Sequence, residues 1–132
     1  MTSQAEAMFA GDVASRALGM ELVQAAEGAA VVRMRVTGQM VNGYGIAHGG
    51  YLFMLADTAF ACACNSHGVV TVAAGAEISF VASARLGDEL VATAAMRTRY
   101  GRNGIYDVTV RRGDEVIAEF RGRSRAVAAG AS

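Results

Sequence analysis

Hydrophobic and polar residues alternate with a period of two through most of the second half of the chain. Such alternation places apolar side chains on one face and polar side chains on the other, which is typical of a half-buried strand. We predict four strands of this kind, over residues 70–82, 89–98, 105–111 and 116–127. The glycine-containing segments between them, at residues 87–88, 101–104 and 113–114, are typical of tight turns between antiparallel strands.

The first third of the chain predicts a helix and two further strands. Ser3 and Glu6 match the capping box of a helix N-terminus, and apolar residues at helical spacing follow. We therefore predict one amphipathic helix from about residue 4 to residue 18. Residues 31–36 alternate between apolar residues and arginine, and we expect this strand to form a hairpin with residues 20–26. The glycine-punctuated segment 38–50 is predicted to be a loop.

Residues 51–64 are apolar on nearly every side when they are placed on a helix. A helix with that pattern is buried. The sequence therefore predicts an α+β fold in which a curved antiparallel sheet wraps around one long central helix. A single sheet covers only one side of such a helix, so we expect another surface, such as that of a second subunit, to cover the rest.

The composition fits a single domain over residues 1–132, in which residues 128–132 are expected to be a frayed tail. Hydrophobic residues make up 53% of the chain and charged residues 18%, which is enough to form a core. Twelve basic residues, all of them arginine, balance twelve acidic ones. This balance argues against a nucleic-acid partner held by overall charge.

The sequence carries no signal for secretion, a membrane span or a metal. The long uncharged stretch at residues 49–65 is short and interrupted by Asp57, so it does not predict a transmembrane helix. Cys62 and Cys64 are interpreted as buried free thiols in a reducing cytosol, without further metal ligands beside them. His67, just past the helix, is expected to interact with its last carbonyls. We therefore expect a soluble, cytoplasmic protein with no metal, no membrane partner and no cofactor.

Asp57 is the outstanding candidate for chemistry because it is the only charged residue between Gly49 and Asn65. An isolated buried carboxylate is costly, and such groups shift their pKa or find partners. From burial alone two interpretations stay open: a catalytic carboxylate, or a structural one that pairs with an arginine or caps neighbouring backbone.

His48, Gly49 and Gly50 directly precede this helix. Two glycines at a helix start let a ligand approach the backbone N–H groups, which lie at the positive end of the helix dipole and suit a developing oxyanion. The alternative is a flexible junction with His48 as a polar cap. Asn42, in an Asn-Gly turn, is a weaker candidate.

Residues 97–125 contain eight of the twelve arginines against four acidic residues. A solvated sheet face is one interpretation of this excess. A basic rim for a phosphorylated ligand is the other, because guanidinium groups pair well with phosphate. The candidates for such contacts are Arg97, Arg99, Arg102, Arg121 and Arg123.

The segment 42–68 resembles the hotdog-fold acyl-CoA thioesterases of the phenylacetyl-CoA thioesterase (PaaI) type. The residues that carry the resemblance are Asn42, Gly45, His48-Gly49-Gly50 and Leu55-Ala56-Asp57, and it extends over nearly the whole chain. It implies an acyl-CoA hydrolase with active sites between the subunits of a homodimer, often paired into a tetramer.

The resemblance also implies roles for single residues. The Gly49 N–H would hold the thioester carbonyl oxygen, Asp57 would activate water or attack directly, and Asn42 and His48 would position substrate and water. Gly50 and Tyr51 join the arginines as candidates for substrate binding. Some related thioesterases carry a second polar residue on the strand after the helix, but the aligned position here is Ala73, so that role is not assigned.

Gly49 and Asp57 are eight residues apart, about 12 Å along a helix. A carboxylate does not reach a carbonyl docked at the start of its own helix, so we expect the two groups to act from different subunits related by a two-fold axis.

The expected activity is hydrolysis of phenylacetyl-CoA or related thioesters, as in phenylacetate degradation. Two alternatives remain: a hotdog hydratase or dehydratase, and a non-catalytic acyl-CoA-binding subunit. Tyr44, Tyr51, Phe53 and Phe60 line an aromatic pocket or belong to the core.

Overall fold

The computed structural model describes residues 3–127, which form one six-stranded antiparallel sheet and the helices packed on it. The strands are β1 (Glu21–Ala26), β2 (Ala29–Arg35), β3 (Thr71–Phe80), β4 (Glu89–Tyr100), β5 (Asn103–Arg112) and β6 (Glu115–Ala126). Their order across the sheet is β1-β2-β4-β5-β6-β3. The six predicted strands are confirmed, with ends that differ by at most two residues. The predicted frayed tail at residues 128–132 lies outside the described residues.

One long helix, α3 (Gly49–Cys64), lies against the inner face of the sheet and fixes the core. The ring centre of Phe60 is 5.7 Å from that of Tyr106 and 5.8 Å from that of Phe120. Gly122 makes room for this cluster, because a Cβ there would lie 2.7 Å from the Phe60 ring. Burying one such ring stabilises the fold by about 1.5–3 kcal/mol. The predicted curved sheet around a central helix is therefore confirmed.

The sheet does not cover α3 on all sides. Gly50 is exposed, and Met54, Asp57 and Ala61 are half-buried. Their spacing of four, three and four residues places them on one stripe along the helix. This stripe is the part of α3 for which the sequence predicts a second covering surface.

The N-terminal segment differs from its prediction, because two short helices replace the single helix expected over residues 4–18. The helix α1 (Gln4–Ala10) begins with the predicted capping box, in which Ser3 and Glu6 bind each other's backbone N–H groups. A second helix, α2 (Val13–Ala17), begins after Asp12, whose carboxylate accepts a hydrogen bond from the Ser15 N–H. The helix is interrupted here because the Asp12 side chain binds the backbone N–H of Ser15 and so acts as the N-cap of a new helix.

The strand β3 lies at one edge of the sheet. Its backbone pairs with β6 on one side, and no strand among residues 3–127 pairs with the other side. Apolar side chains on and around this strand are exposed, among them Val70, Val72, Phe80 and Val81. An unpaired edge with exposed apolar side chains is a surface on which another chain can dock.

Candidate active site

Asp57 lies midway along α3, on the stripe that the sheet leaves uncovered. No side chain of residues 3–127 forms an ion pair or a hydrogen bond with its carboxylate. Burial raises the pKa of this carboxyl group, and the nearby charge of Asp12 adds to the rise. The arginine partner or backbone cap of the structural interpretation is thus not found in this part of the chain. A free carboxylate with a raised pKa is suited to act as a base or a nucleophile.

The helix α3 begins at Gly49, and the N-cap residue His48 makes no side-chain capping hydrogen bond. The first N–H groups of a helix have no partner within it and lie at the positive end of its dipole. His48 donates its own backbone N–H to the Met40 carbonyl oxygen, which holds the chain in place just before the helix. Its side chain and Gly50 are exposed. The start of α3 therefore has donors available to a ligand oxygen.

Asn42 organises the loop that leads to this helix. Its Oδ1 accepts hydrogen bonds from the N–H groups of Tyr44 (2.9 Å) and Ile46 (3.1 Å). Gly45 adopts a φ of 75°, a left-handed conformation that favours glycine. The Ala47 N–H then donates to the Ala84 carbonyl oxygen and ties the loop to the chain beyond β3. The Asn42 side chain thus fixes the approach to Gly49.

A cavity of about 200 Å³ adjoins the start of α3. Its walls are mostly apolar and include Leu52, Phe80 and Ala82 beside Gly49 itself. A Cβ at position 49 would lie 2.7 Å from the tip of the Phe80 ring, so the ring occupies the space that any side chain there would need. This contact could not be predicted from the sequence, because Phe80 lies 31 residues away along the chain. The cavity places apolar surface next to the free N–H groups.

Gly49 and Asp57 of one chain do not reach the same substrate group, since they are separated by eight residues of one helix, about 12 Å.

Of the four aromatic candidates, Phe60 belongs to the core and Phe53 packs against Phe120 with ring centres 5.3 Å apart. Tyr51 is half-buried at the first turn of α3, and Tyr44 is exposed on the loop. Ala73 lies on β3 beside a bulge and offers no polar group.

The candidate arginines fall into two groups. Arg97 and Arg121 form ion pairs with Asp107, and Arg123 pairs with Glu77. Arg121 and Arg123 alternate with the buried residues Phe120 and Gly122, so they lie on the outer face of the sheet, away from α3. Arg99 and Arg102 form no ion pair with any residue in the range 3–127 and lie beside a cavity at the far end of α3. The outer-face arginines therefore fit the solvated sheet face better than a phosphate site.

The C-terminal end of α3 corrects one prediction. The last carbonyls of the helix accept hydrogen bonds from the side chains of Asn65 and Ser66, whereas His67 Nε2 is buried without a partner in the described chain. Cys62 and Cys64 are free and buried as predicted, and burial raises the pKa of each thiol to about 12. These thiols are therefore not nucleophiles at neutral pH.

Residues 3–127 contain no group of three or more histidine, cysteine, aspartate or glutamate residues that is arranged to hold a metal ion. None of the helices in this part of the chain is long and apolar enough to cross a membrane.

Comparison with known proteins identifies the family of this fold. Residues 44–119 match the model of the Thioesterase superfamily. The acyl-coenzyme A thioesterase PaaI of Escherichia coli is 45% identical over 124 residues, which cover 93% of this chain and 89% of the relative.

Two solved structures are similar over most of their length. The E. coli PaaI protein from the phenylacetic acid degradation operon superposes with a TM-score of 0.91 at 44% identity, covering 94% of this chain and 91% of that one. A mutant of the phenylacetic acid degradation protein PaaI from Thermus thermophilus gives a TM-score of 0.83 at 32% identity, covering 86% and 98%. With its six-stranded sheet, central helix and carboxylate-bearing stripe, the chain belongs to the thioesterase superfamily, as a thioester hydrolase with the hotdog fold of the PaaI type.

Proposed function

We propose that this protein hydrolyses phenylacetyl-CoA, or a related aryl- or acyl-CoA thioester, to the free acid and CoA. The observation that carries the proposal is the Asp57 carboxylate, which has a raised pKa and no protein partner among the described residues. It lies on the same helix whose first N–H groups are left without a side-chain cap. The names of the E. coli and T. thermophilus relatives support the substrate class.

In the proposed reaction the Gly49 N–H donates a hydrogen bond to the thioester carbonyl oxygen and binds it more strongly as that oxygen gains charge. As a general base, Asp57 takes a proton from water, and the water oxygen attacks the carbonyl carbon. As a nucleophile, Asp57 attacks that carbon itself, and water then hydrolyses the anhydride that forms. In both routes the C–S bond breaks, its electron pair leaves with the CoA sulfur, and the sulfur takes up a proton.

The proposed site is shared between the two subunits of a homodimer. The 12 Å between Gly49 and Asp57 on one helix is too long for both to act on one carbonyl, so Asp57 would act with Gly49 of the partner subunit. The uncovered stripe of α3 and the unpaired edge of β3 supply an apolar surface for this contact. Two such dimers would form the tetramer that the resemblance implies.

The remaining candidates would position the substrate. Asn42 holds the loop, and the exposed His48 side chain lies next to the donors of α3. Gly50 leaves open space beside the helix start, since a Cβ there would meet nothing within 4 Å. Tyr51 adds a half-buried ring. The proposed enzyme acts in the cytoplasm and needs no cofactor beyond the CoA of its substrate.

The test is turnover with a panel of acyl-CoA thioesters, followed by release of the free thiol. We expect thiol release, with phenylacetyl-CoA or another aryl-acyl-CoA among the best substrates. Enoyl-CoA substrates are followed in parallel by their absorbance. Loss of enoyl absorbance without thiol release would identify a hydratase instead, and binding without turnover of any thioester would identify a non-catalytic subunit.

The shared site has a test of its own. Light scattering at micromolar concentration should show a dimer or a larger assembly. A monomer that retains full activity would contradict the shared site while leaving the hydrolytic activity intact.

A further inference from the structure

A second cavity, of about 50 Å³, lies at the end of α3 opposite to Gly49. Polar side chains line much of it, among them His67, Arg99, Arg102, Tyr106 and Ser124. These five come from five places in the chain, namely the segment after α3, the end of β4, the β4–β5 turn, the inner face of β5 and the inner face of β6. None of the described residues that line it is acidic.

The charges at this cavity are unbalanced. Arg99 and Arg102 form no ion pair with any side chain of residues 3–127, whereas Arg97, on the same strand as Arg99, pairs with Asp107. Burial lowers the pKa of the His67 imidazole, and the positive charge of nearby Arg99 lowers it further. A neutral imidazole and two free guanidinium groups leave the cavity with a net positive charge.

Two hydroxyl groups are available at this cavity independently of these charges. Tyr106 and Ser124 line it, and neither hydroxyl forms a hydrogen bond with a residue of the described chain. His67 also lines the cavity, and its Nε2 atom is buried without a partner in the described chain. A buried polar atom without a partner costs about 1–3 kcal/mol, so it favours a ligand or water at this place. Burial also raises the pKa of Tyr106, so its hydroxyl keeps its proton at neutral pH and can donate it in a hydrogen bond.

Gly104 lets three of these side chains pack close together. A Cβ at this position would lie 2.8 Å from Ser124 Oγ, 2.9 Å from the Tyr106 ring and 3.5 Å from Arg99 Cγ, so only glycine leaves room for them. The three side chains therefore lie next to one another beside the cavity. One water molecule needs about 10–15 Å³ of cavity, so the 50 Å³ of this one accommodate a group of about four water-sized atoms, such as a phosphate with its oxygens.

We propose that this cavity binds a phosphate group of the nucleotide end of the acyl-CoA substrate, through Arg99, Arg102 and the hydroxyls of Tyr106 and Ser124. Guanidinium and hydroxyl groups are all hydrogen-bond donors here, and phosphate supplies only acceptors. The assignment rests on the proposed function, because it takes the phosphate from CoA.

The distance along the helix is compatible with that substrate. Asp57 precedes Asn65, the residue that ends α3, by eight residues, or about 12 Å. The arm that joins the thioester sulfur to the phosphates of CoA has the length of four to five extended residues, about 14–18 Å. A thioester held at Asp57 therefore allows its phosphates to reach the end of the same helix.

The experiment compares a double variant, Arg99→Gln with Arg102→Gln, with the control Arg111→Gln. Arg111 is exposed on β5, forms no ion pair within the described residues and lies at the opposite end of the strand, near the β5–β6 turn. We expect the double variant to raise KM for the CoA thioester by about tenfold or more, since charge-assisted hydrogen bonds are lost. KM for the matching thioester of phosphate-free pantetheine should stay unchanged. The control should leave both values as they are.

Binding of adenosine 3′,5′-bisphosphate, measured by calorimetry, separates this inference from the proposed function because it needs no turnover. We expect its affinity to fall in the double variant and to persist in the control. Tyr106→Phe and Ser124→Ala remove single neutral donors and should weaken binding by about two- to tenfold without lowering Tm. The inference would be overturned if each variant changes KM for the CoA thioester and KM for the pantetheine thioester by the same factor. It would also be overturned if no variant lowers the affinity for the bisphosphate, even if the enzyme hydrolyses acyl-CoA. The inference would also be overturned if inorganic phosphate binds at this cavity without competing with the CoA thioester, because the cavity would then be a site for a free anion.

Discussion

The two ends of α3 are completed in different ways. At the C-terminal end, Asn65 Nδ2 donates to the Ala61 carbonyl oxygen at 2.9 Å, and Ser66 Oγ donates to the Ala63 carbonyl oxygen at 2.7 Å. At the N-terminal end, the side chain of His48 makes no capping hydrogen bond. A capping side chain stabilises a helix by about 1 kcal/mol. Side chains therefore stabilise the C-terminal end of α3, whereas the N-terminal end keeps backbone N–H donors free for the thioester carbonyl oxygen that is expected there.

The two short N-terminal α-helices differ from α3 in this respect. Ser3 caps α1 and Asp12 caps α2, although each helix has only seven or five residues. The longest α-helix of the described chain, α3 with 16 residues, has no side-chain N-cap. Its stability comes from packing in the core, so it does not depend on a cap.

The largest effect is expected at Asp57, between the two ends. Asp57→Asn keeps the volume of the side chain but removes its ability to accept a proton or to attack, so kcat should fall by about 10²–10⁴-fold or more. KM should change little, and Tm should be equal or higher, because a neutral amide is easier to bury than an unpaired carboxylate. Both are measured on one sample. A fully active but destabilised variant would show that Asp57 is structural.

The pH dependence of stability sharpens this prediction. The pKa of Asp57 in the folded chain is raised above its usual value of 3.8. The folded chain therefore holds this proton more tightly than the unfolded chain, and the carboxyl group lowers stability as pH rises from about 3.8 through the folded pKa. The gain in Tm from Asp57→Asn should thus be larger at pH 7 than at pH 4. A gain that is the same at both pH values would contradict the raised pKa.

The contrast between the helix ends has a direct test in stability. Asn65→Ala removes a buried carboxamide that binds Ala61, Gln4 and the backbone of Thr71, and should lower the free energy of unfolding by about 2–4 kcal/mol. His48→Ala removes no capping bond and should change it by less than about 0.5 kcal/mol. Denaturant unfolding of both variants measures the difference. Equal losses would mean that the N-terminal end is stabilised by His48 after all.

Two neighbouring glycines at the start of α3 should respond with opposite signs. Gly49→Ala places a Cβ against the Phe80 ring, which must move, and should cost about 1 kcal/mol. Gly50→Ala meets nothing within 4 Å and should stabilise the helix by about 0.5 kcal/mol. Phe80→Leu should restore the stability of Gly49→Ala. If that second substitution restores nothing, the ring is not what limits position 49.

The smallest effect is expected for the pKa of His67, beside Arg99 at the C-terminal end of α3. Arg99→Gln removes a positive charge that lowers the pKa of His67, so this pKa should rise in the variant. Burial continues to hold it below its usual value, so the rise is partial. An NMR titration of the His67 ring protons measures it, with Arg111→Gln as the control. An unchanged pKa would show that Arg99 does not face His67 in solution.

Hydrophobic patterns predicted the strands and the central helix well, because each of these depends mainly on residues that are close together in the sequence. The alternation after Gly68 is sufficient to locate β3 to β6, and the apolar segment 51–64 is sufficient to locate α3. The break between α1 and α2 was missed because helical spacing continues through Gly11 and Asp12, and only the Asp12–Ser15 contact shows where the new helix starts.

Contacts between distant residues could not be predicted in the same way. The carboxylate at Asp57 and the glycines at the start of α3 were visible as residue types, but the contact of Phe80 with Gly49 depends on where β3 lies. The arginines were visible only as an excess of charge. Which of them are neutralised by Asp107 and Glu77 depends on the register of β3, β5 and β6.

The strand order also decides when this protein can finish folding during its synthesis. The strand β3 pairs only with β6 within the described chain, and β4 and β5 are made between them. A ribosome that has released α3 and β3 has not yet made the strand that holds β3, and β6 is the last strand to emerge. Until then β3 has no partner strand in its own chain. Nascent chains that share a polysome are therefore most prone to premature pairing at this strand, and a stop codon placed before β6 should yield an insoluble fragment.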